Sequence, residues 1–168
     1  MTTKTIIEIS NSSTINETSS RKLELREKIV KLQEAILDMP GAVRGDQPDC
    51  PVIHTFAPGL YKREIFNPAD HLIVTKIHKM DHFYFLIQGS MSILTEQGKV
   101  FIKAPYHGIT KAGTKRVIYT HEPCIFITVH SNPDDIRDME VIENRLIAED
   151  FDGALPDMEL LRQIGGTK

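Results

Sequence analysis

Cysteine is scarce: Cys50 and Cys124 are the only two in 168 residues. They lie far apart and outside any C-x-x-C spacing, so neither a disulfide framework nor a zinc knuckle is supported, and a reducing cytosol fits better. Charge of one sign is missing too. Twenty Lys and Arg against 23 Asp and Glu leave a formal net charge of -3, which gives no global basic field for nucleic acid or an anionic membrane. No apolar run approaches the roughly 20 residues of a membrane span, and the first twenty residues hold one lysine and no apolar signal-like core. The expectation is a soluble cytoplasmic protein with neither a nucleic-acid nor a membrane partner. No G-x-S-x-G, P-loop, G-x-G-x-x-G or H-E-x-x-H spacing occurs, and Cys124 beside Pro123 has no evident base. Both cysteines read as packing residues.

What is present suffices for one core: 40% of residues are hydrophobic and 26% charged, which suits one domain with appendages. Residues 1–18 read as a polar arm. It contains the alternating run Thr5, Ile6, Ile7, Glu8, Ile9 and then a Ser/Asn tract, either a flexible arm or a strand awaiting a partner. Leu25, Ile29, Leu32 and Ile36 follow at steps of four, three and four and predict an amphipathic helix over 19–39, capped by Ser19 or Ser20 and stopped at Met39-Pro40-Gly41. Residues 41–51 are rich in Gly, Pro, Asp and Gln and read as a linker or an ordered loop.

A β-rich unit is expected over 50–131, with strands over 52–56, 61–66, 72–78, 83–87, 91–95, 100–103, 116–120 and 125–130 separated by turn chemistry such as Ala57-Pro58-Gly59 and Gln88-Gly89-Ser90. Many short, regularly punctuated strands argue for an antiparallel sandwich or barrel and against a parallel βαβ sheet. Asn132-Pro133-Asp134 is a turn and cap signal. After it Ile136, Met139, Ile142 and Leu146 predict a second helix within 132–150, packed on the barrel, and 151–168 is a tail.

Chemistry concentrates in one stretch. Alternation along 72–78 puts Lys76 and His78 on one strand face, and His82 follows at the start of the next apolar run. Two imidazoles on neighbouring strands suit a late first-row metal if a third ligand joins them, for which His130, His54 and His107 are the candidates. The alternative is a polar barrel mouth of hydrogen-bonded, metal-free histidines. Lys76, Lys115 and Arg116 read either as a carboxylate- or phosphate-binding cluster or as internal ion pairs with Glu64 or Glu122. Tyr61-Lys62-Arg63-Glu64 reads as a solvated strand face, and Phe83, Phe85, Phe101, Ile125 and Ile127 as core.

The stretch from Lys76 to Gly89 resembles the first motif of the cupin superfamily, in which a His-x-His pair is followed by a Glu and then a Gly. Those four positions are Lys76, His78, His82 and Gly89 in this sequence. The spacing matches and two ligand types do not. The second cupin motif, a Pro-x-Gly turn followed by a ligating His, is met by Lys111-Ala112-Gly113-Thr114-Lys115-Arg116, with Arg116 at the histidine position. Ligation of the cupin kind is then kept at His78, with His82 in place of the carboxylate. The segments His54 to Glu64, Lys76 to His82, Ala104-Pro105, Gly113 to Arg116 and Thr128-Val129-His130 are similar to those of small cupin-like proteins encoded in bacteriophage genomes.

The resemblance implies a mainly β fold, a single cupin-like antiparallel β-barrel or jelly roll with an N-terminal and a C-terminal helix. It implies homo-oligomers paired through N-terminal strands, here residues 5–9. Three functions are compatible with it. One is a binding module holding a small anionic molecule on Lys76, His78, His82, Lys115 and Arg116, suited to sequestering or sensing a metabolite in an infected cell. Another is a metal-dependent oxygenase or sugar-type isomerase holding Fe, Mn, Ni or Zn on His78, His82 and His130. The third is a virion structural or assembly protein that contacts other virion proteins.

Overall fold

The computed structural model describes residues 12–42 and 48–151. Helix α1 (Ser12–Leu37) comes first, followed by strands β1 (Val52–Ala57), β2 (Gly59–Asn67), β3 (Leu72–Val74), β4 (Ile77–His78), β5 (His82–Gln88), β6 (Ser90–Thr95), β7 (Gly98–Lys103), β8 (Tyr106–Thr110), β9 (Val117–Thr120) and β10 (Cys124–Asn132). Helix α2 (Met139–Leu146) and the two-residue strand β11 (Ile147–Ala148) complete the order.

Every strand pairing is antiparallel, and four pairs nest inside one another: β2 with β10, β3 with β9, β5 with β8, β6 with β7. This is one long hairpin, turned between β6 and β7 and rolled so that successive pairs fall alternately in two sheets. The sheets have the orders β1-β2-β10-β5-β8 and β3-β9-β6-β7, the connectivity of a jelly roll. The two sheets do not close into a continuous barrel, and the free edges β7 and β8 flank a cleft.

Period-two alternation decides what faces inward. On β5 the inward set is His82, Tyr84 and Leu86, while Phe83, 56% exposed, Phe85 and Ile87 face outward. The expectation of a core built on Phe83, Phe85, Phe101, Ile125 and Ile127 is therefore corrected. Phe101 is also exposed, Ile125 and Ile127 are only half-buried, and the buried cluster comprises Leu86, Met91, Ile93, Ile102, Ile118, Cys124 and Phe126. An apolar residue count cannot separate the two faces of a strand that is apolar on both.

Helix α1 begins by Ser12, ahead of the expected start at 19. The stretch between has no Gly or Pro, and helix formation is cooperative, so nothing in it halts propagation. Residues 5–9, the expected bridging strand, lie outside the described residues. Arg26 of α1 ion-pairs with Glu96 in the β6–β7 turn and stacks over Phe151, while Ile29 is buried.

Strand 72–78 is broken. Thr75 leaves the sheet, its N–H donating to the Arg116 carbonyl at 2.9 Å and its Oγ1 accepting from the Arg116 N–H at 3.1 Å. β3 pairs with β9, and β4 pairs instead with β11. Helix α2 is shorter than the predicted 132–150 because Asn132 ties up the Ile136 N–H and carbonyl in a turn and Asp138 caps the helix, accepting from the N–H groups of Glu140 and Val141. Ile142 and Leu146 pack against Tyr61, which docks α2 on the first sheet.

Candidate functional site

Three histidines meet in the interior. β4 supplies His78, the first residue of β5 supplies His82 and the far half of β10 supplies His130. Ring centroids lie 4.1 Å apart for His78 and His82, 5.1 Å for His78 and His130, and 4.6 Å for His82 and His130. One nitrogen from each falls within 4.8 Å of the others. His78 owes its place to buttressing from the C-terminal side. It pairs with Ile147, and the next residue, Lys79, donates its N–H to the Leu146 carbonyl at 2.8 Å and its Nζ to the Asn144 carbonyl at 2.8 Å.

Electrostatics hold all three rings neutral. Burial, followed by the neighbouring imidazoles and the Arg116 and Arg63 guanidinium groups, depresses His78 to about 2. Burial, with His82 and Arg63 adding to it, takes His130 to about 3. His82 falls to about 4, again chiefly through burial, partly opposed by the Met80 carbonyl. A neutral imidazole is the ligand form.

The His82 tautomer follows from its contacts. Nδ1 lies 3.3 Å from the Met80 carbonyl, an acceptor only, so Nδ1 carries the proton. That leaves the lone pair on Nε2, which is buried with no hydrogen-bond partner. A backbone carbonyl behind one nitrogen and an unsatisfied lone pair on the other is the arrangement of a metal-ligating histidine. His130 Nε2 lies 3.0 Å from Thr128 Oγ1, a second such outer contact. At metal–nitrogen distances of about 2.0–2.1 Å, tetrahedral ligand atoms sit about 3.4 Å apart. The cluster thus closes on an ion by ring shifts on the order of an ångström, and its donor set fits a borderline transition metal.

Of the other candidate third ligands, His54 Nδ1 lies 2.7 Å from the hydroxyl of buried Tyr61, whose ring stacks on His130. His107 is exposed beside Phe85 on the outer face. Lys76 is also outside the cluster: with the strand broken at Thr75, alternation does not carry through, and its ammonium pairs with Glu143 of α2. Lys115 is buried but does not line the cleft. Glu64 and Glu122, the expected acid partners, pair with Lys62 and Lys103 instead.

Arg116 is 5% exposed, its guanidinium over the rings of Tyr84 at 5.2 Å and Phe126 at 5.6 Å. Burial lowers its pKa to about 10, which still leaves it charged at neutral pH. Two site residues escape a sequence reading. Thr110 sits on β8, a strand masked by Pro105 and Gly108, and is the register partner of His82. Arg63 lies in the segment read as solvated, yet it is close enough to act on His78 and His130. The inward alternation Tyr61, Arg63, Ile65 was the signal available for it.

No family profile matches the chain, and no curated protein matches it. Among solved structures, KdgF from a Halomonas species is 15% identical with a TM-score of 0.46, over 56% of this chain and 88% of that one. A cupin-2 domain protein from Shewanella frigidimarina is 10% identical with a TM-score of 0.42, over 53% and 85%. The Co(II) form of HppE in complex with Tris is 11% identical with a TM-score of 0.42, over 55% and 59%. The jelly roll itself rests on the strand order above. Among the described residues no helix is long and apolar enough to cross a membrane.

Proposed function

We propose that His78, His82 and His130 bind a divalent first-row transition ion, Fe, Mn, Ni or Zn, and that the jelly-roll interior holds a small anionic molecule beside it. The observation that carries this reading is the buried, unpartnered Nε2 of His82, a member of a cluster of three neutral imidazoles. Neutral ligands leave the ion its full charge, and buried Arg116 adds to the positive field, so an anion is the complementary guest. A role in sequestering or sensing a metabolite in a phage-infected cell would follow from the resemblance alone.

Three protein ligands leave coordination positions open. That favours a second reading, a metal-dependent oxygenase or sugar-type isomerase, in which the ion would supply Lewis acidity to a bound oxygen. Native mass spectrometry of untagged protein purified without chelator tests the proposal: one ion per chain is expected. Protein that stays metal-free after incubation with all four ions overturns it.

Self-association belongs to the same proposal. The outer face of the first sheet exposes Phe83, Ile87 and Ile109 together, an apolar patch suited to a second copy. Deleting residues 1–11 should lower the assembly mass in light scattering if the N-terminal segment bridges subunits, and an unchanged mass would place the interface elsewhere.

A further inference from the structure

The cleft between the free edges β7 and β8 encloses about 260 Å³, with Tyr84, Thr110, Thr114 and Arg116 among its lining residues. Two buried donors on its wall are unused: Arg116 Nε and Thr110 Oγ1 have no hydrogen-bond partner. Among the described residues no carboxylate pairs with Arg116. The acids that form ion pairs are occupied elsewhere, Glu64 by Lys62, Asp81 by Lys111, Glu96 by Arg26, Glu122 by Lys103, Asp134 by Arg145 and Glu143 by Lys76. A buried guanidinium without an anion is strongly unfavourable, as is each orphaned donor. The rings of Tyr84 and Phe126, stacked on each other at 5.5 Å, both lie to one side of the guanidinium, and its N–H groups remain its route to a partner.

We propose that this cleft is a carboxylate subsite, with Arg116 as the charged anchor and Thr110 as a second donor. The inference deepens the anionic-guest reading but does not need the histidine cluster to hold a metal. One fixed guanidinium and one hydroxyl match a single planar charge. Lys99 and Lys111 also line the cleft, Lys111 paired with Asp81, but the two unpartnered buried donors are the guanidinium and the hydroxyl, which one carboxylate satisfies, and phosphate is its competitor in the test. The cleft is smaller than the roughly 300–1,000 Å³ of drug-sized sites, so the guest is a small organic acid. Thr110 is the register partner of His82 on the neighbouring strand, so a carboxylate seated on Thr110 and Arg116 lies one strand from that histidine.

The test titrates the full chain, once after dialysis against chelator and once with added Zn²⁺, with acetate, lactate and succinate and with inorganic phosphate for comparison. Amide NMR shifts and calorimetry report binding. The expected result is saturable binding of a carboxylate with shifts at Thr110 and Arg116. Arg116→Gln should weaken it roughly 10- to 100-fold, the worth of a charge-assisted hydrogen bond. Arg116→Lys should recover only part of the affinity, and Arg116→Gln should raise the melting temperature or leave it unchanged. Equal binding by wild type and Arg116→Gln removes the subsite from this cleft, and a large fall in melting temperature makes Arg116 structural. Phosphate binding that Arg116→Gln abolishes, without carboxylate binding, overturns the carboxylate while leaving the anionic guest. Silence toward every anion overturns both, and metal uptake measured on the same sample stands or falls separately.

Discussion

The hydroxyl end of Tyr84 lies directly against Gly108, so close that a Cβ at residue 108 would sit 2.7 Å from the phenol oxygen and 2.8 Å from the ring. The contact seats the ring that carries Arg116, and it exists because β8 has no side chain at that place. Gly108→Ala should displace Tyr84 and cost about 1–3 kcal/mol by overpacking, read by chemical denaturation. In a Tyr84→Ala background the same substitution should cost almost nothing. An equal cost in both backgrounds would show that the backbone at residue 108, and not the Tyr84 contact, requires glycine.

Each imidazole of the cluster should be needed for metal uptake. His78→Ala, His82→Ala and His130→Ala should each abolish stoichiometric Zn²⁺ or Co²⁺ binding, measured by elemental analysis and competition titration. Thr128→Val, which removes the hydroxyl beside His130 Nε2, should weaken affinity about tenfold while keeping stoichiometry. Full retention in His82→Ala would assign its orphaned nitrogen to some other partner.

Acid should destabilise the metal-free protein before any carboxylate titrates. Burial sets His78 at about 2, His130 at about 3 and His82 at about 4, against about 6.5 in an unfolded chain. Between those values and 6.5 the unfolded state binds protons that the folded state refuses, so stability rises with pH through that window. It is fully present above about 6.5 and is lost as pH falls toward the folded values. Urea midpoints should be flat from pH 8 to 7 and drop steadily from 6.5 to 4.5. A midpoint unchanged down to pH 5 would mean that the three rings are not held neutral.

Lys76, the motif position that most invites a role in the site, should be dispensable. Its pair with Glu143 is more than half exposed on both sides, and such pairs contribute about 0–1 kcal/mol. Lys76→Met should leave metal stoichiometry unchanged and stability within that range. Loss of metal in this variant would mean that the ammonium turns inward in solution.

Spacing between motif residues carried much of the site. The interval from His78 to His82 survives folding because the chain between them is a short bend joining two strands. His130 was one of three candidate third ligands, and no local pattern separates it from His54 or His107. The choice depends on which sheet face meets β4, a relation between segments more than fifty residues apart. Lys76 misleads for the converse reason, since period-two alternation holds only while a strand continues and Thr75 interrupts it. Thr110 was invisible because Tyr106-His107-Gly108 lacks the apolar alternation by which strands are recognised.

By itself, then, the sequence determined a mainly β chain of short antiparallel strands with a helix at each end, because turn residues and hydrophobic periodicity act locally. Tertiary structure alone decided which apolar face became core, which histidine completed the cluster and that Arg116 was buried with no acid among the described residues beside it. Those outcomes depend on register and on the rolling of one sheet over the other, which bring into contact groups that no short stretch of chain relates.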